Sequence, residues 1–261
     1  MVNNISSHLL AVNSNVTLSL SPLNKKKVLK EPTAEDYNVL ALLYKNKELN
    51  SKVIFYYNKA LSIRLSSLGK LNRKTAISYM NLANAYIENN EFTNANECLE
   101  EAVFINKKIF GKDSVELAMP YASMANNYFL EDKLELAQKN YVQALDIRVN
   151  NLGKLHPLTA QSYYDLAYFY AAGQEFKLAL PFFIEALDTR IELFRKSHPE
   201  TAVAYYSLAM CYYHLFKYQS AYDNLLEAIS IKELILLKDD NELVQCKKNL
   251  MVIEKHLSMT T

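Results

Sequence analysis

Residues 152–160 read Leu152-Gly153-Lys154-Leu155-His156-Pro157-Leu158-Thr159-Ala160, and 42 positions later the chain reads Phe194-Arg195-Lys196-Ser197-His198-Pro199-Glu200-Thr201-Ala202. Working outward, Gly69, Gly111 and Gly153 stand 42 residues apart, and Arg195 takes the next such place. Five copies of the pattern fill most of the 261 residues. A repeat of this length is one supersecondary unit that cannot cover its own apolar face, so the copies must stack on one another.

Each copy holds two helical patterns in succession. The first has apolar residues at i, i+3, i+4 and i+7, a single stripe of 3.6-residue period. These are Tyr37, Leu40, Ala41, Tyr44; Tyr79, Leu82, Ala83, Tyr86; Tyr121, Met124, Ala125, Tyr128; Tyr163, Leu166, Ala167, Tyr170; and Tyr205, Leu208, Ala209, Tyr212. Ten of the nineteen tyrosines thus fall at two structural places, which reads as packing and not as a platform for stacked bases. The second helix keeps small residues seven apart: Val53 and Ala60, Ala95 and Ala102, Ala137 and Ala144, Ala179 and Ala186, Ala221 and Ala228. Small residues at fixed intervals let helix backbones approach closely, with Tyr, Leu and Phe filling the space between.

The helix ends keep the same register. Asn72, Ser114, His156, His198 and Asp240 share one place before a first helix, and Pro157 and Pro199 follow the two histidines. Asn, Ser and Asp are favoured N-caps and Pro is favoured at the first helical position. The three spaced glycines fall where the second helix must stop in a left-handed residue. Pro120 and Pro181 are expected in or near first turns, where a missing N–H costs least. Arg64, Arg148 and Arg190 recur near the ends of second helices, and a solvated cation opposing the helix dipole accounts for them.

Composition narrows the function. Half the residues are hydrophobic and 22% charged, with four glycines and six prolines, which suits an all-helical array with a continuous core. A net charge of +1 and a pI near 7.6 lack the basic surplus of a nucleic-acid binder, so no nucleic-acid partner is expected. No run approaches the ~20 apolar residues of a membrane span, and the first thirty residues lack a secretory pattern. Cys98, Cys211 and Cys246 stand at no metal-ligand spacing and read as buried, reduced thiols of a cytoplasmic protein; secretion into a host cell is the open alternative.

No phosphate-cradling Gly loop, GxSxG or HExxH motif, or Cys/His metal pair occurs in the sequence. His156 and His198 fall to the helix-start role, and His214 has no ligand partner at suitable spacing. No enzyme, cofactor or metal is therefore expected.

The Leu-Ala-x-x-Tyr runs at 82–86 and 166–170, Glu-Ala-Leu-x-x-Arg at 185–190 and Leu-Gly-Lys-x-His-Pro-x-Thr-Ala at 152–160 resemble tetratricopeptide repeats, specifically the 42-residue kind of kinesin light chains. The resemblance covers about residues 30–240. It implies an all-α, right-handed superhelical solenoid of stacked antiparallel helical hairpins. The expected organisation is a flexible tail over 1–30 (with Lys25, Lys26, Lys27 and Lys30), five repeats over 31–240, and a capping helix and tail over 241–261.

The same resemblance places the first helix of each hairpin on the inside of the superhelix, facing a bound peptide. Carried onto this sequence, the groove residues are Met80, Asn84, Ile87, Asn126, Phe129, Tyr164, Tyr168, Tyr206, Met210 and Tyr213. Asn84 and Asn126 can each offer a donor and an acceptor to an extended backbone, and Tyr and Met can form apolar pockets. These places hold no Lys or Arg, which argues against a clamp for a partner's C-terminal carboxylate. The expected function is a non-enzymatic adaptor binding a peptide segment of another protein. The alternatives are a self-associating scaffold, which would be a homo-oligomer, and an accessory cargo-adaptor subunit like kinesin light chain, although the coiled-coil heptads that subunit would use are absent.

Overall fold

The computed structural model describes residues 31–237 and 239–259, and the expected tail of residues 1–30 lies outside them. The described residues form eleven α-helices and no strand. These are α1 (Ala34–Lys45), α2 (Asn50–Leu68), α3 (Arg73–Glu88), α4 (Phe92–Phe110), α5 (Ala118–Leu130) and α6 (Leu134–Leu152). They continue as α7 (Pro157–Ala172), α8 (Phe176–Phe194), α9 (Pro199–His214), α10 (Tyr218–Ile235) and α11 (Asn241–Ser258). Consecutive helices pair as antiparallel hairpins that stack in order, the right-handed superhelical solenoid the repeat predicts, with α11 as a half-hairpin at its end.

The small-residue places carry this packing. Ala41, Ala83, Ala125, Ala167 and Ala209 on the first helices expose no surface, and neither do Ala95, Ala137, Ala179 and Ala221 on the second. Around these close contacts the core fills with Leu82, Leu99, Leu166, Phe183, Leu208 and Leu225. Two core clusters result, and Tyr128 packs against both. On α11 the alanine place is taken by Met251, which is 67% exposed.

All five expected N-caps form. Backbone N–H groups of Lys74, Glu116, Leu158, Glu200 and Glu242 donate to the side chains of Asn72, Ser114, His156, His198 and Asp240. For both histidines the acceptor is Nδ1. The second helices end at Gly69, Gly111 and Gly153 with φ of 78°, 93° and 80°, and at Arg195 with φ 69°. Their ψ values lie between 166° and 174°, so the backbone sits in the extended positive-φ region and not in the compact left-handed one. A second positive-φ place, unread in the sequence, joins the two helices of every hairpin: Glu48, Asn90, Asp132, Gln174 and Phe216, with φ of 55–62°.

Two readings are corrected. Arg64, Arg148 and Arg190 are buried, not solvated. Each passes beneath the interhelix loop, and its Nη1 donates to the carbonyl ten residues ahead, on Lys74, Leu158 and Glu200, at 3.1, 3.1 and 3.3 Å. Arg64 and Arg148 also donate to Ser78 and Ser162 Oγ, at 2.7 Å each. At the equivalent places Asn106 donates to the Glu116 carbonyl and Lys232 pairs with Glu242. The side chains act as clamps between successive hairpins. Beside them Thr75, Thr159 and Thr201 donate to the carbonyls of Gly69, Gly153 and Arg195. Secondly, Pro181 lies inside α8, past its first turn, where it withholds a donor from the Lys177 carbonyl. Pro120 does fall in the first turn of α5, after a short 3₁₀ turn at Val115–Leu117.

Candidate functional site

Successive first helices bond directly to one another, side chain to side chain. Lys45 Nζ donates to Glu88 Oε1 at 2.5 Å, and Tyr164 and Ser207 share a hydroxyl hydrogen bond at 3.0 Å. Asn249 Nδ2 donates to Tyr206 Oη at 3.0 Å, and Tyr213 and His256 share a bond at 3.3 Å. Every partner lies 43 residues away, one repeat plus one position. These bonds run along one face of the array, from each first helix to the next.

The expected site residues divide on this face. Asn84 is exposed and Asn126 half-buried, at the same place in adjacent repeats, and no side chain among the described residues hydrogen-bonds to either amide. Met80 and Ile87 are buried in the core and present almost no surface. Phe129 is half-buried and forms a T-shaped pair with Phe169, the centroids 5.9 Å apart. Tyr168 is exposed, whereas Tyr164 is half-buried with the Arg190 guanidinium 4.8 Å from its ring centre. Tyr206 and Met210 meet at Asn249, whose Nδ2 lies 3.6 Å from the Met210 sulfur. Tyr213 sits apart from them in a ring cluster with Tyr218 and His256.

Sequence reasoning missed one row of this face, a position beyond Met80 and Tyr164. It holds Val39, Asn81, Ser123, Asp165, Ser207 and Asn249. Asp165 is the outlier. Its Oδ1 accepts from Gln161 Nε2 at 2.7 Å, and Gln161 Oε1 accepts from Arg190 Nη2 at 3.1 Å. Burial pushes the carboxyl up to about 6, against the opposing pull of the Gln161 hydrogen bond and the Arg148 and Arg190 charges. The signal was legible: Asp165 is the single acidic residue in a row of neutral ones.

The neighbour of the expected Asn126 behaves differently. Asn127 is wholly buried, and its Nδ2 donates to the Phe92 carbonyl at 3.0 Å. Cys211 repeats that contact two units later, its thiol 3.4 Å from the Phe176 carbonyl. All three cysteines are buried and free. Burial raises the Cys98 thiol to about 12 and that of Cys211 to about 11, which makes them poor nucleophiles. Among the described residues no group of His, Cys, Asp and Glu is placed to hold a metal ion, and no helix is long and apolar enough to cross a membrane.

Models of the tetratricopeptide repeat match residues 35–67, 75–116 and 158–233, in step with the hairpins. The chain belongs to the tetratricopeptide repeat family. No curated protein matches the sequence. Among solved structures, this tetratricopeptide repeat protein is similar to a Podosopora anserina kinesin light chain protein with nearly identical TPR-like repeats. The two are 21% identical with a TM-score of 0.65, covering 78% of this chain and 97% of that one. It is similar also to BtubC (BKLC) from P. vanneervenii (19% identity, TM-score 0.68, 85% of this chain and 84% of that one). The apo form of RapI aligns at 16% identity and a TM-score of 0.65, over 87% of this chain and 84% of that one. At these identities the likeness is one of fold.

Proposed function

We propose that this tetratricopeptide repeat protein is a non-enzymatic adaptor of the cytoplasm, and that the inner face of its first helices is a groove for an extended peptide of another protein. The observation that carries this reading is the pair Asn84 and Asn126. Two unengaged amides stand one repeat apart on the inner face, each able to donate to and accept from a peptide backbone. Tyr168 and Met210 supply apolar surface beside them. Met80 and Ile87 would act by shaping the floor.

A random linear-peptide library displayed against the folded protein tests this. Selected peptides should bind by calorimetry and should weaken when Asn84 and Asn126 are both changed to Ala, with no fall in melting temperature. Binding unchanged by the double substitution sinks the assignment of these amides. A second reading, self-association, draws on the exposed Met251 and Val252 of α11. Light scattering over a concentration series would show a stable dimer if that reading is right and a monomer if it is not.

A further inference from the structure

We propose that one edge of this array docks on a bilayer surface carrying anionic lipid headgroups, at a site separate from the groove. Antiparallel hairpins stacked in order send the loops between repeats to one edge and the turns within hairpins to the other. The four loops that join α2 to α3, α4 to α5, α6 to α7 and α8 to α9 hold Lys70, Lys112, Lys154, Arg195 and Lys196 against Asp113 and Glu116. The hairpin turns hold Glu48, Glu91, Glu131, Asp132 and Glu175 against Lys47, Lys133 and Lys217. A net charge of +1 thus conceals two edges of opposite sign.

The cations of the loop edge are available. Lys70, Lys112, Lys154 and Lys196 occupy one place in successive repeats, and all four are exposed. Lys70 and Lys196 pair with Glu101 and Glu227 at 2.6 Å, but pairs this exposed contribute little, so an anionic headgroup can compete for them. Among the described residues Lys112, Lys154 and Arg195 form no ion pair. Arg195 adds an observation of a different kind. It keeps a cation at the loop edge in a positive-φ conformation that three equivalent loops give to glycine, and strain retained there points to use. Apolar side chains stand among these charges. Leu71 and Leu155 follow two of the lysines directly, at one place in alternate repeats, and are 58% and 53% exposed.

This mixture selects the occupant. A polyanion without apolar groups satisfies the lysines and leaves the leucines in water. An acidic peptide needs a concave seat, and the cavity next to this edge, about 550 Å³ beside Phe104, is lined by Glu97, Glu100 and Glu101, which repel it. A bilayer needs no such seat. Its anionic headgroups attract the cations, and leucines beside them enter the boundary between headgroups and acyl chains. Docking at this edge leaves the groove open, since Asn84 lies twelve residues beyond Asn72, about 18 Å along the helix.

The experiment sediments the full chain with vesicles of phosphatidylcholine alone and of phosphatidylcholine mixed with phosphatidylserine, at low and high salt. The parent should bind the anionic vesicles and not the neutral ones, and binding should weaken as salt screens the lysines. Changing Lys112 and Lys154 together to Gln should weaken it roughly twentyfold, about fivefold per cation. Changing Leu71 and Leu155 together to Ser should weaken it without altering the salt dependence. Both variants should melt with the parent, since these side chains are exposed. A third variant, with Lys25, Lys26 and Lys27 all changed to Gln, separates the edge from the first thirty residues and should still prefer anionic vesicles. Equal binding to both vesicles, none to either, or anionic binding that survives the edge substitutions overturns the proposal. So does binding abolished by the third variant alone, or displaced as readily by inorganic phosphate as by anionic vesicles. The groove reading, tested with peptides, stands or falls apart from these outcomes.

Discussion

Replacing Arg195 by glycine should stabilise the protein, although it deletes a side chain. Arg195 closes α8 with φ 69° and ψ 166°, the conformation that Gly69, Gly111 and Gly153 adopt at the equivalent ends. That region is populated almost entirely by glycine, because a Cβ there crowds the residue's own backbone, and a non-glycine residue costs about 1–3 kcal/mol. The cost is local. A Cβ built at Gly69, Gly111 or Gly153 meets nothing within 4 Å beyond the adjoining residues of the chain, so tertiary packing neither causes nor relieves it. Against this, glycine adds about 0.5–1 kcal/mol of unfolded-state entropy. The balance favours Arg195→Gly by ~1 kcal/mol, a rise in melting temperature of about 2–4 °C for a chain of this size. Loss of helical ellipticity on heating, with a guanidinium titration beside it, measures the effect. The reverse substitution, Gly153→Ala, should lower stability by about 1–3 kcal/mol. If Arg195→Gly melted at or below the parent while Gly153→Ala fell as expected, the Arg195 side chain would have to contribute a stabilising contact large enough to offset its backbone, and the reasoning would fail.

Other outcomes follow from buried groups. Arg148→Met keeps the volume but leaves the Leu158 carbonyl and Ser162 without their charged donor, and should cost about 2–3 kcal/mol in a denaturant titration. For Asp165 the folded carboxyl is raised from 3.8 to about 6, so the native state binds the proton more tightly than the unfolded chain, and the parent loses stability as pH rises through that window. Asp165→Asn should therefore be more stable than the parent above about pH 6 and equal to it at the acid end; melts from pH 4 to 8 that run parallel would contradict the raised value. The three cysteines should resist a thiol reagent in the native protein and react only in denaturant, as followed by absorbance. A thiol reacting at the native rate of a free cysteine would show that its helix packing is looser than the burial implies.

Much of the fold was legible because a 42-residue period makes each place visible several times. The alanines at 41, 83, 125, 167 and 209 announce a close helix contact by recurring, and all prove fully buried. The N-caps were legible for a related reason: Asn72, Ser114, His156, His198 and Asp240 differ in chemistry but share a position, and each offers a side-chain acceptor there. The hairpin turn was not legible, since its positive-φ place holds Glu, Asn, Asp, Gln and Phe, and Gly173 stands one residue away from it. The arginines misled for an opposite reason. Their chemistry and place suit a solvated helix end, and only the path of the loop over them shows that the next hairpin covers each guanidinium.

The face shared by the first helices shows the same division. The resemblance to the repeat family chose Asn84, Asn126 and Tyr168 by their place along one helix, without knowing how near the adjoining helix would lie. It could not tell that Met80 and Ile87 are covered, or that Asn127 and not Asn126 is the amide turned towards the preceding hairpin.

The sequence alone determined the repeat, its helical hairpins, their caps and the close contacts, because these depend on spacing along the chain and on local backbone preference. Only the tertiary structure decided which side chains stay free. The Arg clamps, the bonds one repeat and one residue apart, and the Gln161 bridge between Asp165 and Arg190 depend on the distance between neighbouring hairpins, which no single helix encodes.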